Sequence, residues 1–138
     1  MSLSLDCSSP LHPNAVLGLE YFNKGEYFEC HEELETAWRE EDGEIRDLYK
    51  GILQAAVTYL HVTRANYDGA IKVYKRSQKW LTKWPDTCRG VDVERLRQDL
   101  NAVIAEVRRL GPECLAEFDR SLLKPVLWST TDLKRING

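Results

Sequence analysis

The chain of 138 residues has no apolar stretch approaching the ~18 residues that a membrane span requires, so no membrane partner is expected. It also lacks positive charge in excess. A net charge of -3 and a pI near 5.6 argue against a dedicated nucleic-acid binder, whose footprint is a basic patch. The opening "MSLSLDCSSPLHP" has no positive segment followed by a long apolar run, so no signal peptide is expected. Cys7, Cys30, Cys88 and Cys114 include no C-x-x-C pair, which excludes a zinc knuckle and a thioredoxin-type redox motif. The expectation is therefore four reduced thiols in a cytoplasmic protein. Gly18, Gly25, Gly43 and Gly51 are scattered and form no phosphate-binding loop. Sustained two-residue alternation is missing too, which leaves helix as the organising element.

What is present is a series of helices punctuated by proline and glycine. Pro13-Asn14 precedes "AVLGLEYFNK" and Gly25 follows it; Asn14 is the expected N-cap and Gly25 the residue just past the helix end. A second helix is expected from about Glu26 to Glu40, broken by "EEDG" ending at Gly43. A third runs from about Glu44 to Ala65, and "NYDG" at 66–69 reads as a turn. The fourth carries Ala70, Val73, Tyr74, Ser77, Trp80, Leu81 and Trp84 along one stripe and stops at Pro85. "PDTCRG" reads as a loop. Asp92 is the expected cap of a fifth helix, with Leu96, Leu100, Val103, Ile104, Val107 and Leu110 at helical spacing. Gly111-Pro112 ends it and starts a short sixth segment, "PECLAEFDRSLL". The tail, 123–138, reads as irregular, with Trp128 docking it and "TTDLKRING" mobile. The fold class is thus all-α: an antiparallel bundle of about five to six helices built from helical hairpins. The whole chain, 1–138, is one domain with its core at about 13–122.

The helical wheels select candidate site residues. On the third helix, Ile45, Leu48, Tyr49, Ile52, Leu53, Ala55, Ala56, Tyr59, Leu60 and Val62 cover well over half the circumference, so it is the centre of the bundle. A narrow strip is left for Asp47, Lys50, Gly51, Gln54, Thr58 and His61. On the second helix Tyr27, Cys30, Leu34, Ala37 and Trp38 form the apolar stripe, and Glu29, Glu33 and Glu40 lie opposite, as solvated charges. His31 and Glu35 fall inside the arc between Trp38 and Phe28, four residues apart and hence adjacent; Glu32 lies just outside it. A carboxylate there needs a partner, because burying it unpaired is costly. Glu35→Ala is accordingly expected to cost more stability than Glu33→Ala. Folding back at Asp42-Gly43 sets Glu35 against Tyr49 and Lys50, and His31 against Leu53 and Gln54. The candidate set is His31, Glu35, Gln54 and His61, supported by Glu32, Trp38, Tyr49 and Lys50.

Such a set admits three chemistries: a closed structural network fixing register, a divalent metal held by imidazole and carboxylate, or acid–base catalysis without metal. "HEELE" is not the H-E-x-x-H zinc motif, and no glutamate lies three residues before His31 or His61, as di-iron bundles require. No cysteine has nucleophile flanks; Cys30 reads as core, and His12 as exposed and unpartnered. Trp38, Trp80, Trp84, Tyr21, Phe22 and Tyr74 read as core rather than a ligand cage, and the basic run "KVYKRSQKWLTKW" as a solvated face.

"FNKGEYFECHEELETAW" (22–38), "YKGILQAA" (49–56), His61 and "GVDVERL" (90–96) together resemble the family catalogued as domain of unknown function 309, over roughly residues 12–110. Its family-like positions are His31, Glu32, Glu35, Trp38, Gly51 and Gln54. The resemblance implies a small all-helical protein and no established reaction, substrate or cofactor. A fainter likeness, in "LGLEYFNKGEYFECHEELETA", is to a tetratricopeptide hairpin, but no ~34-residue repeat recurs. Three functions fit these residues: a polar site in the bundle binding a metal or small ligand, with or without catalysis; a module docking a partner on an aromatic groove near Trp80, Trp84 or Trp128; and a structural network in a self-associating homo-oligomer.

Overall fold

One helix is built to be surrounded, and the others arrange themselves around it. In a computed structural model describing residues 7–129, it is α3, Arg46–Thr63, following α1, Pro13–Asn23, and α2, Tyr27–Glu40. Beyond it come α4, Tyr67–Leu81, a hairpin of β1, Thr87–Cys88, and β2, Val91–Asp92, and α5, Val93–Cys114. Ten residues of α3 are buried, including Tyr49, Ile52, Ala56 and Tyr59. Such a wide apolar surface needs cover on more than one side. Helices α2 and α4 supply it from either flank, α1 packs on α2, and α5 on α4. Side-chain neighbours run antiparallel at each seam: Tyr27 with Tyr59 and Trp38 with Arg46 between α2 and α3, Gly51 with Leu81 and Gly69 with His61 between α3 and α4. The all-α antiparallel bundle expected from periodicity is the fold. Among the described residues no helix is long and apolar enough to cross a membrane.

Helix ends show where local chemistry differs from the sequence reading. His12, not Asn14, caps α1: its Nδ1 accepts from the Asn14 N–H at 3.0 Å, and Pro13 takes the first helical position. "NYDG" is no turn; Asn66 accepts from the Gly69 N–H at 3.0 Å and caps α4. Helix α4 ends at Leu81, four residues before Pro85. Proline has no N–H to give the Leu81 carbonyl, and Arg97 Nη1 takes that oxygen instead at 2.8 Å, reaching the Trp84 carbonyl at 3.1 Å as well. Asp92 caps α5 as expected. The backbone leaves helix at Gly111 (φ 73°, ψ 174°), so the continuation through Pro112 is a separate turn, followed by 3-10 turns at Leu115–Glu117 and Arg120–Leu122.

Two findings correct the sequence reading. "PDTCRG" is not a plain loop. Arg89 (φ 51°) and Gly90 (φ 84°) turn left-handed between Cys88 and Val91, as a two-residue hairpin loop demands. The tail then docks on this hairpin, with Trp128 bridging Val91 and the Asp92 N–H donating to the Leu127 carbonyl. The Asn23 side chain fixes it further by exchanging two hydrogen bonds with the Val126 backbone. Second, Cys7 and Cys88, 81 residues apart, form a disulfide. This contradicts the expected four reduced thiols and removes the argument from cysteines for a cytoplasmic location; Cys30, buried, and Cys114, exposed, are free. "TTDLKRING" lies outside the described residues.

Helix α4 approaches α3 closely because position 51 has no side chain. A Cβ at Gly51 would stand 2.7 Å from Leu81 Cδ2 and 3.3 Å from Trp80 Cβ. Gly51→Ala is expected to destabilise the bundle by about 1–3 kcal/mol through overpacking, outweighing its gain in helix propensity. Urea unfolding checks this; an equal or raised midpoint would show that the helices part without cost.

Candidate functional site

Helix α2 turns Tyr27, Cys30, Leu34 and Ala37 fully inward, and this stripe decides where its polar residues stand. His31 and Glu35, beside the stripe, are half-buried, while Glu32 is exposed. The His31 ring lies 6.1 Å from that of Phe28, which is itself 48% exposed, so this end of the seam opens to solvent. Trp38, two turns on, has Arg46 Cζ 4.2 Å and Lys50 Nζ 5.0 Å from its ring centre. Cation–π attraction thus joins Trp38 and Lys50, two of the expected supporting residues. Arg46 Nε also donates to the Trp38 carbonyl at 3.1 Å, which ties α2 to the start of α3.

On α3, Asp47, Gly51 and His61 of the polar strip face the α4 side, while Lys50 faces Trp38 of α2. Asp47 pairs with Lys83 at 3.0 Å, Gly51 meets Leu81, and Thr58 is fully buried. Gln54 stands between Gly51 and Thr58 and is half-buried. His61 closes the strip over Gly69, with Nδ1 3.1 Å from Asn66 Nδ2. Burial, then the Arg64 charge, holds its pKa below the ordinary histidine value. His61 therefore belongs to the α3–α4 turn. Tyr49 is drawn elsewhere as well, to Glu41 and Arg89. Among the described residues, no hydrogen bond or ion pair joins any two of His31, Glu35, Gln54 and His61, and no group of three or more His, Cys, Asp or Glu is placed to hold a metal ion.

The seam nevertheless has a distinctive electrostatic condition. Five buried side-chain polar atoms among the described residues have no hydrogen-bond partner, and three of them are His31 Nδ1, Trp38 Nε1 and Gln54 Oε1. Unpaired buried groups are rare in folded proteins and call for a physical reason. Three of the five falling among eight candidate residues is a concentration the helical wheels alone could not reveal.

A second polar cluster escaped the sequence reading. Arg89, only 6% exposed, donates from Nη1 to Glu41 Oε1 at 3.1 Å, to Tyr49 Oη at 3.0 Å and to the Pro10 carbonyl at 3.2 Å. Tyr49 Oη donates to Glu41 Oε1 at 3.0 Å and accepts from the His12 N–H at 2.9 Å, so its one donor and two lone pairs are all used. Burial pushes the Tyr49 phenol up to about 12; the His12 N–H and the Arg89 charge pull it down, and Glu41 pushes it up. His12 is half-buried rather than free, with Nε2 2.9 Å from Glu40 Oε1. No local signal betrays this node. It joins residues 10, 12, 41, 49 and 89, which only the folded chain brings together.

The fold and this seam define a class: a small antiparallel helical domain with a polar, partly unsatisfied interface between its second and third helices. Residues 16–73, which span α2, α3 and every candidate residue, match the family model described as "Domain of unknown function (DUF309)". The resemblance read from the sequence is thus borne out over that segment. The chain is 36% identical over 106 residues to the uncharacterized protein YpuF of Bacillus subtilis (strain 168), covering 73% of this chain and 61% of that protein. It is 27% identical over 84 residues to an uncharacterized protein of Aquifex aeolicus (strain VF5), covering 60% of this chain and 25% of that one. The chain therefore spans about three fifths of the first of these relatives and about a quarter of the second.

The geometry reverses one expectation. Asn14 Nδ2 donates to Glu33 Oε1 at 2.8 Å, joining α1 to α2, whereas Glu35 makes no hydrogen bond or ion pair among the described residues. Glu33→Ala is expected to cost about 1 kcal/mol and Glu35→Ala less. Urea denaturation of the two variants decides the order, and a larger loss at Glu35 would restore the wheel's assignment.

Proposed function

We propose that this protein binds a small polar ligand along the seam marked by His31, Trp38 and Gln54. The observation that carries the reading is the set of three buried, unpartnered atoms. A buried polar group left unpaired costs about 1–3 kcal/mol, and a ligand that pairs it recovers that cost on binding. The groups also specify chemistry. Gln54 Oε1 accepts, so it asks for a donor; Trp38 Nε1 donates, so it asks for an acceptor. Arg46 and Lys50 beside Trp38 favour negative charge at that end, and Glu35 favours positive charge nearer His31. A molecule carrying both an amino or amide donor and a carboxylate or carbonyl acceptor fits this polarity, as amino acids and carboxamides do. A divalent metal is the weaker version: with no cluster of three acidic, imidazole or thiol donors among the described residues, it would need the ligand to complete its coordination.

The two other readings fare less well. Docking on an aromatic groove asks for an exposed patch near Trp80, Trp84 or Trp128, yet Trp84 is buried and the other two half-buried, while the large exposed apolar residues among those described are Leu17, Phe28 and Leu127. A closed structural network describes the Arg89–Glu41–Tyr49 node, not the seam.

The test is a nitrogen-15 NMR titration with the proteinogenic amino acids and simple carboxamides, following the Trp38 indole N–H. A saturable shift is expected for at least one probe, and loss of that shift in His31→Ala and in Gln54→Leu. Gln54→Leu removes the unpaired carbonyl and is expected to raise stability by about 1 kcal/mol while abolishing binding. No saturable shift up to ~10 mM of any probe, with Gln54→Leu still folded, would overturn the reading.

A further inference from the structure

A cleft of about 400 Å³ lies between the α1–α2 turn, the end of α3 and the segment after α5. We propose that it is a separate binding site for a small organic oxyanion, whose carboxylate or phosphate group meets Arg120, Lys24 and the Tyr27 hydroxyl. Its apolar body would lie against Phe22, Leu123 and Pro125.

Three observations carry this inference. The first is charge. Lys24 and Arg120 line the cleft and no acidic residue does; among the described residues neither cation pairs with a carboxylate. Arg120 gives one N–H to the Thr63 carbonyl at 2.9 Å, which anchors the guanidinium over the cleft and leaves its other N–H groups for a ligand. The second is Tyr27. It is only 6% exposed, and its ring is held edge-on by Phe22 at 5.4 Å and Tyr59 at 5.6 Å, yet its hydroxyl makes no hydrogen bond to any described residue. Burial pushes this phenol up to about 12, against the pull of Arg120, so at neutral pH it stays protonated and able to donate. The third is rigidity. Asn23, at the rim, spends its side-chain amide on the Val126 backbone, so the wall is fixed rather than adaptable.

Helix ends modify the field without reversing it. α1 and α3 finish at this cleft and α2 begins there, each end carrying about half an elementary charge, negative for the first two and positive for the third. One negative end is already covered by Arg120 on Thr63. Two full cations exceed what remains. A carboxylate and a phosphate ester share the required chemistry, and volume limits either to a body of roughly one ring.

Benzoate and phenyl phosphate are the probes, with benzylamine as the oppositely charged control, each titrated into the full chain by NMR. Saturable shifts confined to residues 22–27, 63 and 120–125 are expected for one or both anions and not for benzylamine. Arg120→Gln is expected to weaken binding at least about tenfold and Tyr27→Phe about threefold. Lys24→Gln, at an exposed position that spares the Thr63 contact, is expected to weaken it severalfold even if Arg120→Gln unfolds. His31→Ala should leave affinity unchanged, which separates this cleft from the α2–α3 seam. Absence of saturation by either anion at ~20 mM, equal binding of benzylamine, or undiminished affinity in folded Arg120→Gln or Lys24→Gln would each overturn the proposal.

Discussion

The arrangement of this domain depends on one buried guanidinium. Arg89 enters from the hairpin turn and reaches the segment before α1, the end of α2 and the first turns of α3 with a single nitrogen. A buried charge is costly unless paired and hydrogen-bonded, and here Glu41 supplies the charge while Tyr49 supplies a hydroxyl that the two ions share. Because Glu41 follows α2 directly and Tyr49 lies one turn into α3, their contact fixes how far α2 slides along α3. That register then sets Trp38 beside Arg46 and Lys50, and Tyr27 beside Tyr59. The Cys7–Cys88 disulfide and the bond from the Arg89 N–H to the Cys7 carbonyl hold the N-terminal segment over the same node.

Polar chemistry is consequently divided between two ends of one interface. Around Tyr49 every donor and acceptor of the hydroxyl is matched, and such a closed network rigidifies its surroundings. Further along, His31, Trp38 and Gln54 each keep a buried atom unmatched. A satisfied cluster beside unmatched donors and acceptors sets a rigid frame next to the groups on which the proposed ligand site rests. At the cleft near Arg120, Asn23 and Thr63 likewise fix the walls, and the Tyr27 hydroxyl makes no hydrogen bond to any described residue.

How much of this was legible in the sequence depends on the range of each interaction. The third helix could be read as central because its apolar residues cover most of a wheel, and helical periodicity is a local property. The α2–α3 pairing was legible because a short loop forces antiparallel neighbours. Asp92 and Gly111 announced their helix ends directly. Asn14 and Asn66 show the limit: both are good caps by type, yet only Asn66 caps, because Pro13 lets His12 take the position before it. The wheel placed Glu35 inward and Glu33 outward; it could not know that Asn14 of α1 would meet Glu33. The Cys7–Cys88 bond and the Arg89 node were invisible, since they unite segments tens of residues apart with no spacing signature. His61 fell on the expected strip, but Asn66 and Gly69 draw it to the turn into α4, while Lys50 of the same strip meets Trp38 of α2.

The most direct test of the register node is a double-mutant cycle on Glu41→Gln and Tyr49→Phe, read by urea unfolding. If the shared hydroxyl and carboxylate lock α2 to α3, the two losses will be coupled by about 1 kcal/mol or more. Strictly additive losses, within about 0.3 kcal/mol, would show that the two side chains act independently and that the helices find their register without them.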